Sequence, residues 1–176
     1  LVVGGNNRQQ STYNALKYLV NQKGISKVLI HDVARPNFST KLLKTILKNM
    51  RNHRAVVPKL EVQDAIKQII ETSNEEYIVG KKRDNLFLTQ TPQAFNLKEI
   101  YYLHKTNFNK YKDDDISLYM DLNKIKFIEG EKNNFKITDK SDFEKLKNIF
   151  KSKQNVGIGF DVHRLVPKRK LYLAGL

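Results

Sequence analysis

The chain has 176 residues, with 32 Lys and Arg against 18 Asp and Glu, for a formal net charge of +14. That length holds one domain with a real core and a short remainder. It has no cysteine, which excludes a disulfide framework and fits a reducing cytoplasm. No apolar run approaches a membrane span, and no signal peptide is visible. The positive excess is mostly lysine, spread along helices among Asn and Ile, so it reads mainly as solvated faces. A basic crevice would also steer anions inward, and nucleic acid is the lesser alternative.

Leu1-Val2-Val3 reads as the end of a strand and Gly4-Gly5 as a tight turn where backbone N–H groups can approach a ligand. Residues 8–20 follow as a helix with Ala15, Leu16, Leu19 and Val20 on its apolar side. The next stretch, KVLIHDVARP over residues 27–36, is the one around which the rest is arranged. Its β-branched run is too short for a lone helix and predicts a strand of a parallel sheet buried on both faces. It stops on His31-Asp32, so Asp32 is offered to the crevice beyond the strand ends, where ligands of open α/β sheets sit. Arg35 follows on the loop, with Pro36 fixing the backbone behind it. A carboxylate there can hold a divalent metal or a ribose hydroxyl, and an arginine fork can grip phosphate. Taken alone, Asp-x-x-Arg reads as a strand-end carboxylate paired with its neighbour.

Ser39 or Thr40 caps a helix over 41–50 whose stripe is Leu42, Leu43, Ile46, Leu47 and Met50. Residues 55–58 form another inner strand, and the alternation predicts an α/β, doubly wound, mostly parallel sheet. Between 60 and 80 the helical period is lost, and two short apolar runs around a polar turn predict a projecting β-hairpin arm. Thr91 precedes Pro92 and is therefore extended, with its hydroxyl forward. A helix over 97–106 carries Ile100, Tyr101 and Leu103 inward. Asp113-Asp114-Asp115 reads as a helix start rather than a metal cluster. Residues 125–128 are a strand and 134–138 an edge segment, and a last helix shows Phe143, Leu146, Ile149 and Phe150 on one face.

GGNNRQQS, HDVARP and QTPQAF, followed by Asn134-Phe135-Lys136-Ile137-Thr138, stand in the order and spacing of one family's motifs. Over residues 1–150 the chain resembles the 2-C-methyl-D-erythritol 4-phosphate cytidylyltransferases. The resemblance implies a Rossmann-like nucleotidyltransferase that moves a cytidylyl group from CTP to 2-C-methyl-D-erythritol 4-phosphate with Mg²⁺, releasing pyrophosphate. It implies that Gly5, Asn6 and Ser11 read the cytosine, with Asn6 where the family usually has Asp. Asp32 and Val33 fall by the ribose or the metal. Arg35 and Thr91 bind the acceptor, and Arg83 and Lys136 orient the attacking phosphate. Ala65 stands where the family has a phosphate-binding Thr. Hairpin arms of this family cross to a second subunit, which implies a homodimer. The family's Gly-rich loop and early Lys/Arg pair have no counterpart here, so the chain is expected to belong to a longer protein and to be inactive alone.

After a linker at 151–154, residues 155–176 carry Gly-x-Gly-x-Asp161-Val162-His163-Arg164. On a strand Asp161 and His163 share a side and could face one ion; on that pair alone, an alternating polar strand is the simpler reading. The stretch resembles the start of 2-C-methyl-D-erythritol 2,4-cyclodiphosphate synthase. That implies Asp161 and His163 as ligands of Zn²⁺ or another divalent cation, Val162 at the substrate, and a trimer through a completed second domain. The tandem implies a bifunctional enzyme of the non-mevalonate isoprenoid pathway. The rival reading is a non-catalytic, basic, nucleotide- or nucleic-acid-binding remnant.

Overall fold

The computed structural model describes residues 1–72, 75–107, 114–119 and 122–151. Among the described residues four α-helices begin at polar caps. Asn7 accepts from the Gln10 N–H and starts α1 (Arg8–Val20). Ser39 accepts from the Leu42 N–H and starts α2 (Thr40–Asn49). Asn96 does the same for the Glu99 N–H at α3 (Leu97–Thr106). Asp139 accepts from the Asp142 N–H at α4 (Lys140–Lys151). Each cap satisfies an amide that the first helical turn leaves without a partner, worth about 1 kcal/mol.

The strands are β1 (Lys27–Ile30), β2 (Ala55–Glu61), β3 (Ile66–Glu71), β4 (Glu76–Lys81), β5 (Phe87–Thr89), β6 (Gln93–Asn96) and β7 (Ile125–Glu129). β1, β2 and β7 run in one direction, but β6 is inserted antiparallel between β1 and β2. The α/β sheet is therefore mixed, and β2–β7 is the one parallel ladder among the described residues. β7 occupies one edge of β2; β6 and β5 lie end to end along the other, with residues 90–92 between them. Among the described residues β3 and β4 pair only with each other, as the projecting hairpin expected between 60 and 80.

Side-chain alternation along β2 divides the core. Val56 faces α2, packing with Leu42, Ile46, Met50, Ala94 and Ile128. Ala55 and Val57 face the other way, toward Leu16 of α1, Ile100 of α3 and the 3-10 turn Ile116–Leu118, with Phe95 and Ile125. Each fully buried Leu or Ile stabilises this stack by roughly 1.5–3 kcal/mol.

Several expectations change. β1 is not buried on both faces: it alternates, with Leu29 37% exposed, because α2 packs over β2, β6 and β7 instead. Leu1-Val2-Val3 forms no strand and is exposed, having no ladder partner among the described residues. The segment 134–138 is not a ladder either; it is tied to the loop after β1 by the Ile137 N–H on the Ala34 carbonyl, 2.8 Å. Leu47 of α2 and Phe143 and Phe150 of α4 are nearly half exposed, so those stripes are narrower than the sequence period suggests.

Candidate active site

A cleft of about 460 Å³ opens beyond the end of β1, with Arg8, Asp32, Arg35, Thr91 and Lys136 on its polar side. Phe87, Ile116, Tyr119, Ile125 and Phe127 form its apolar wall, and Thr89, Gln93 and Asp114 also line it. Its polar side begins where β1 ends. The Arg35 N–H donates to the Asp32 carbonyl at 2.9 Å, closing a turn that brings Arg35 back over Asp32. The Asp32 N–H donates to Thr91 Oγ1 at 3.0 Å, and Thr91 Oγ1 lies 3.0 Å from His31 Nδ1. His31 Nε2 reaches the Arg35 carbonyl at 2.9 Å. A carbonyl only accepts, so Nε2 carries the hydrogen, and in a neutral ring the Thr91 hydroxyl donates to Nδ1. The Asp32 carboxylate then lies between two cations, Arg8 Nε at 3.6 Å and Lys136 Nζ at 3.3 Å.

A second network holds the lysine loop. Gln90 donates through Nε2 to the carbonyls of Glu131 (2.9 Å) and Asn134 (3.1 Å), and its Oε1 accepts the Glu131 N–H at 2.9 Å. Asn134 is fully buried and donates through Nδ2 to the Thr91 carbonyl at 2.9 Å. The Asn134 carbonyl also accepts from Arg35 Nη1, 2.9 Å. Three segments distant in sequence are thereby joined: residues 31–36, 90–92 and 130–136. Gly130 is required by closeness: a Cβ there would lie 2.5 Å from Gln90 Oε1 and 3.0 Å from the Lys59 carbonyl oxygen. Burial lowers the pKa of Arg35, with Asp32 opposing it.

A third group escaped sequence reasoning. Asp115 is buried, with Oδ2 accepting from Arg8 Nη2 at 2.6 Å and Oδ1 lying 2.9 Å from His104 Nε2. Burial pushes the Asp115 carboxyl up, but the His104 hydrogen bond and the Arg8 charge outweigh it and hold the pKa below the usual range. For Arg8, desolvation works against the charge, and Asp115, Asp32 and Asp114 more than restore it. Asp114 accepts from Thr89 Oγ1 (2.8 Å) and Gln93 Nε2 (3.2 Å), and from the Ser117 N–H (3.1 Å). It does cap a helical turn, the 3-10 turn, as the sequence suggested; Asp113 lies outside the described residues. The usable signal was the Arg of GG-x-x-R, one turn past the glycines.

Not every expected site residue lines the cleft. Gly5, Asn6 and Ser11 sit where the chain enters α1: the Gly5 N–H donates to Ser11 Oγ (2.9 Å) and Ser11 Oγ to the Asn7 carbonyl (2.9 Å). The Asn6 N–H donates to Gln10 Oε1, 2.8 Å. Val33 is exposed on the loop after β1. Thr91 is buried, and its hydroxyl is turned to His31 and Asp32 rather than forward, because the Asp32 amide needs an acceptor. Arg83 stands beyond the hairpin, donating to the Gln63 carbonyl, and does not line the cleft. Asp161, Val162 and His163, with the linker from 152 onward, lie outside the described residues. Among the described residues no three His, Cys, Asp or Glu side chains cluster as metal ligands, and no helix is long and apolar enough to cross a membrane.

The profile of the IspD family, 2-C-methyl-D-erythritol 4-phosphate cytidylyltransferase, matches residues 1–152. A bifunctional IspD/IspF enzyme of Pelagibacter ubique is 43% identical over 177 residues, covering 100% of this chain and 45% of that protein. The chain thus spans about half the length of that relative. A crystal structure of 2-C-methyl-D-erythritol 4-phosphate cytidylyltransferase from Thermus thermophilus is 29% identical, with a TM-score of 0.69, covering 84% of this chain and 71% of that one. The bifunctional IspDF of Campylobacter jejuni is 29% identical with a TM-score of 0.65, covering 82% of this chain and 36% of that one.

Proposed function

We propose, because this chain belongs to the 2-C-methyl-D-erythritol 4-phosphate cytidylyltransferase family, that its cleft transfers a cytidylyl group from CTP to 2-C-methyl-D-erythritol 4-phosphate. The observation that carries this reading is Asp32 set between Arg8 and Lys136, with Arg35 beside it, in one cleft. Such a site can neutralise phosphate charge while keeping one carboxylate for a divalent cation. A phosphate oxygen of the acceptor attacks the α-phosphorus of CTP, and the bond to pyrophosphate breaks. The protein's share is alignment and charge neutralisation rather than covalent chemistry. Lys136 and Arg83 orient the attacking phosphate, Arg35 and Thr91 hold the acceptor, and Asp32 and Val33 adjoin the ribose. Gly5, Asn6 and Ser11 lie against the base.

One carboxylate is enough for Mg²⁺, which takes one or two protein ligands and completes its shell with water and phosphate oxygens. Asp32 fits that role, and the ion would offset charge on the triphosphate. Arg83 would complete the cleft of a second copy through exchanged hairpins, making the protein a homodimer.

We assign residues 1–150 to the transferase domain, 151–154 to a linker and 155–176 to the opening of a cyclodiphosphate synthase domain, where Asp161 and His163 would ligate Zn²⁺. In that arrangement the second half would form the 2,4-cyclodiphosphate with release of CMP, assemble as a trimer, and work in the cytoplasm. The experiment is a transfer assay on the natural full-length protein with labelled CTP, beside titration of duplex DNA. Formation of 4-diphosphocytidyl-2-C-methyl-D-erythritol supports the reading. Salt-steep DNA binding with no CTP preference would replace it with a nucleic-acid-binding role.

A further inference from the structure

We infer that Arg8 is a further phosphate-binding cation of the cleft, and that Asp115, braced by His104, is the positioning residue that aims it. The inference deepens the nucleotidyl-transfer reading and rests on it. Arg8 is the first residue of α1, so its backbone is fixed by the Asn7 cap. Its side chain is 37% exposed at the cleft, while its partner Asp115 is 1% exposed. Nη2 is held by Asp115 at 2.6 Å and Nε faces Asp32 at the looser 3.6 Å. A guanidinium has five donors in a rigid plane, so fixing one corner fixes the direction of the others. The donors turned from Asp115 are those the cleft can present to an anion.

The behaviour of Asp115 supports an orienting role over a stabilising one. Both its oxygens are engaged, Oδ2 by Arg8 and Oδ1 by His104, and His104 is itself 1% exposed on α3. Buried ionic pairs add little net stability compared with apolar residues of similar volume. What this one does is link α1, α3 and the 3-10 turn into one support behind the cleft cation. His104 keeps Asp115 from rotating, and Asp115 keeps Arg8 from collapsing fully onto Asp32.

The test is a double-mutant cycle in the natural full-length protein, read as turnover and as affinity for inorganic tripolyphosphate. Arg8→Ala and Asp115→Asn should each weaken both readouts by about tenfold to a hundredfold, the range of a charge-assisted hydrogen bond. The double variant should be no worse than Arg8→Ala alone, because Asp115 acts only through Arg8. His104→Ala should resemble Asp115→Asn, and His104→Gln, which keeps a donor for Oδ1, should restore most of the loss. Additive losses in the double variant would overturn the inference, as would tripolyphosphate affinity unchanged in both single variants. A native protein that binds tripolyphosphate with this pattern but transfers no cytidylyl group would sink the transfer reading and leave Arg8 a phosphate-binding residue.

Discussion

Around the cleft, Gln90, Thr91 and Asn134 direct their polar groups at backbone groups from three distant segments. Among the described residues the strands β3 and β4 pair only with each other, and their cross-strand pair Ile69 and Ile78 is 64% and 69% exposed. A lone two-stranded hairpin is marginal in water. The cleft side is therefore fixed by its own chain, whereas the hairpin leaves an apolar cross-strand pair open to solvent. Arg83 stands at that boundary. The cleft is rigid from within; in the proposed exchanged dimer, a residue that the hairpin delivers would depend on assembly.

The largest expected effects probe that division directly. Lys136→Ala and Arg83→Ala should each lower turnover by about 10²–10³-fold, the scale of losing one electrostatic contact to the reacting phosphates, with folding unchanged by circular dichroism. Mixing the two inactive variants should then restore transfer, since an exchanged pair contains one cleft with both residues. Failure to complement would return Arg83 to its own chain's chemistry or remove it from the site.

Next come losses of stability confined to the cleft side. Gly130→Ala should destabilise by about 1–3 kcal/mol, because the added carbon overlaps Gln90 Oε1 and presses on the Lys59 carbonyl. Asn134→Ala should cost about 1–3 kcal/mol by stranding the buried Thr91 carbonyl. Denaturant titration measures both. The hairpin counterpart, Gly80→Ala, has only Lys67 Nζ at 3.5 Å from the new carbon and should change stability by under about 1 kcal/mol. Equal losses at Gly130 and Gly80 would erase the distinction.

Acid should also act on the cleft side. The pKa of Asp115 is lower folded than unfolded, so its stabilising share is full above the unfolded carboxyl value, about 3.9. That share is lost as pH falls through the folded value. Melting temperatures taken from neutral pH downward should drop less steeply in Asp115→Asn than in the native chain. Asp139 and Asp142 are lowered as well, by hydrogen bonds at the start of α4, and will add to the acid slope of both proteins.

What could be read from the sequence was local. The helix over 8–20 and the hairpin announced themselves by period, and HDVARP by the stop from apolar to polar residues. The turn that returns Arg35 to Asp32 needed only the residues between them. What could not be read depends on distant partners. Nothing in Gln93–Asn96 states that it lies antiparallel between β1 and β2, since a four-residue apolar strand fits either direction. His104 occupies a helical position where Leu or Ala would fit the same stripe, and its role exists only because Asp115 arrives beside it. The Thr91 hydroxyl, expected to face outward, was claimed by an amide 59 residues away.

The arrangement of β5 and β6 on one edge of β2 lets one short segment serve both the core and the cleft. From Val56 to Lys59 the strand β2 advances three positions, while its partner chain uses five, from Ala94 to Thr89. The two surplus residues form the excursion that carries Gln90 and Thr91. Because two is even, β5 and β6 keep the same alternation of faces, and Phe95 still meets the α1–α3 side while Ala94 meets α2. A slip of β6 by one position against β1 and β2 would exchange those faces and turn Phe95 toward a layer filled by Leu42, Ile46 and Met50. Residues 90–92 stand outside the ladders, so β1 and β2 hold Phe95 on its face while the excursion turns Thr91 to the cleft and Gln90 to the loop at 130–136.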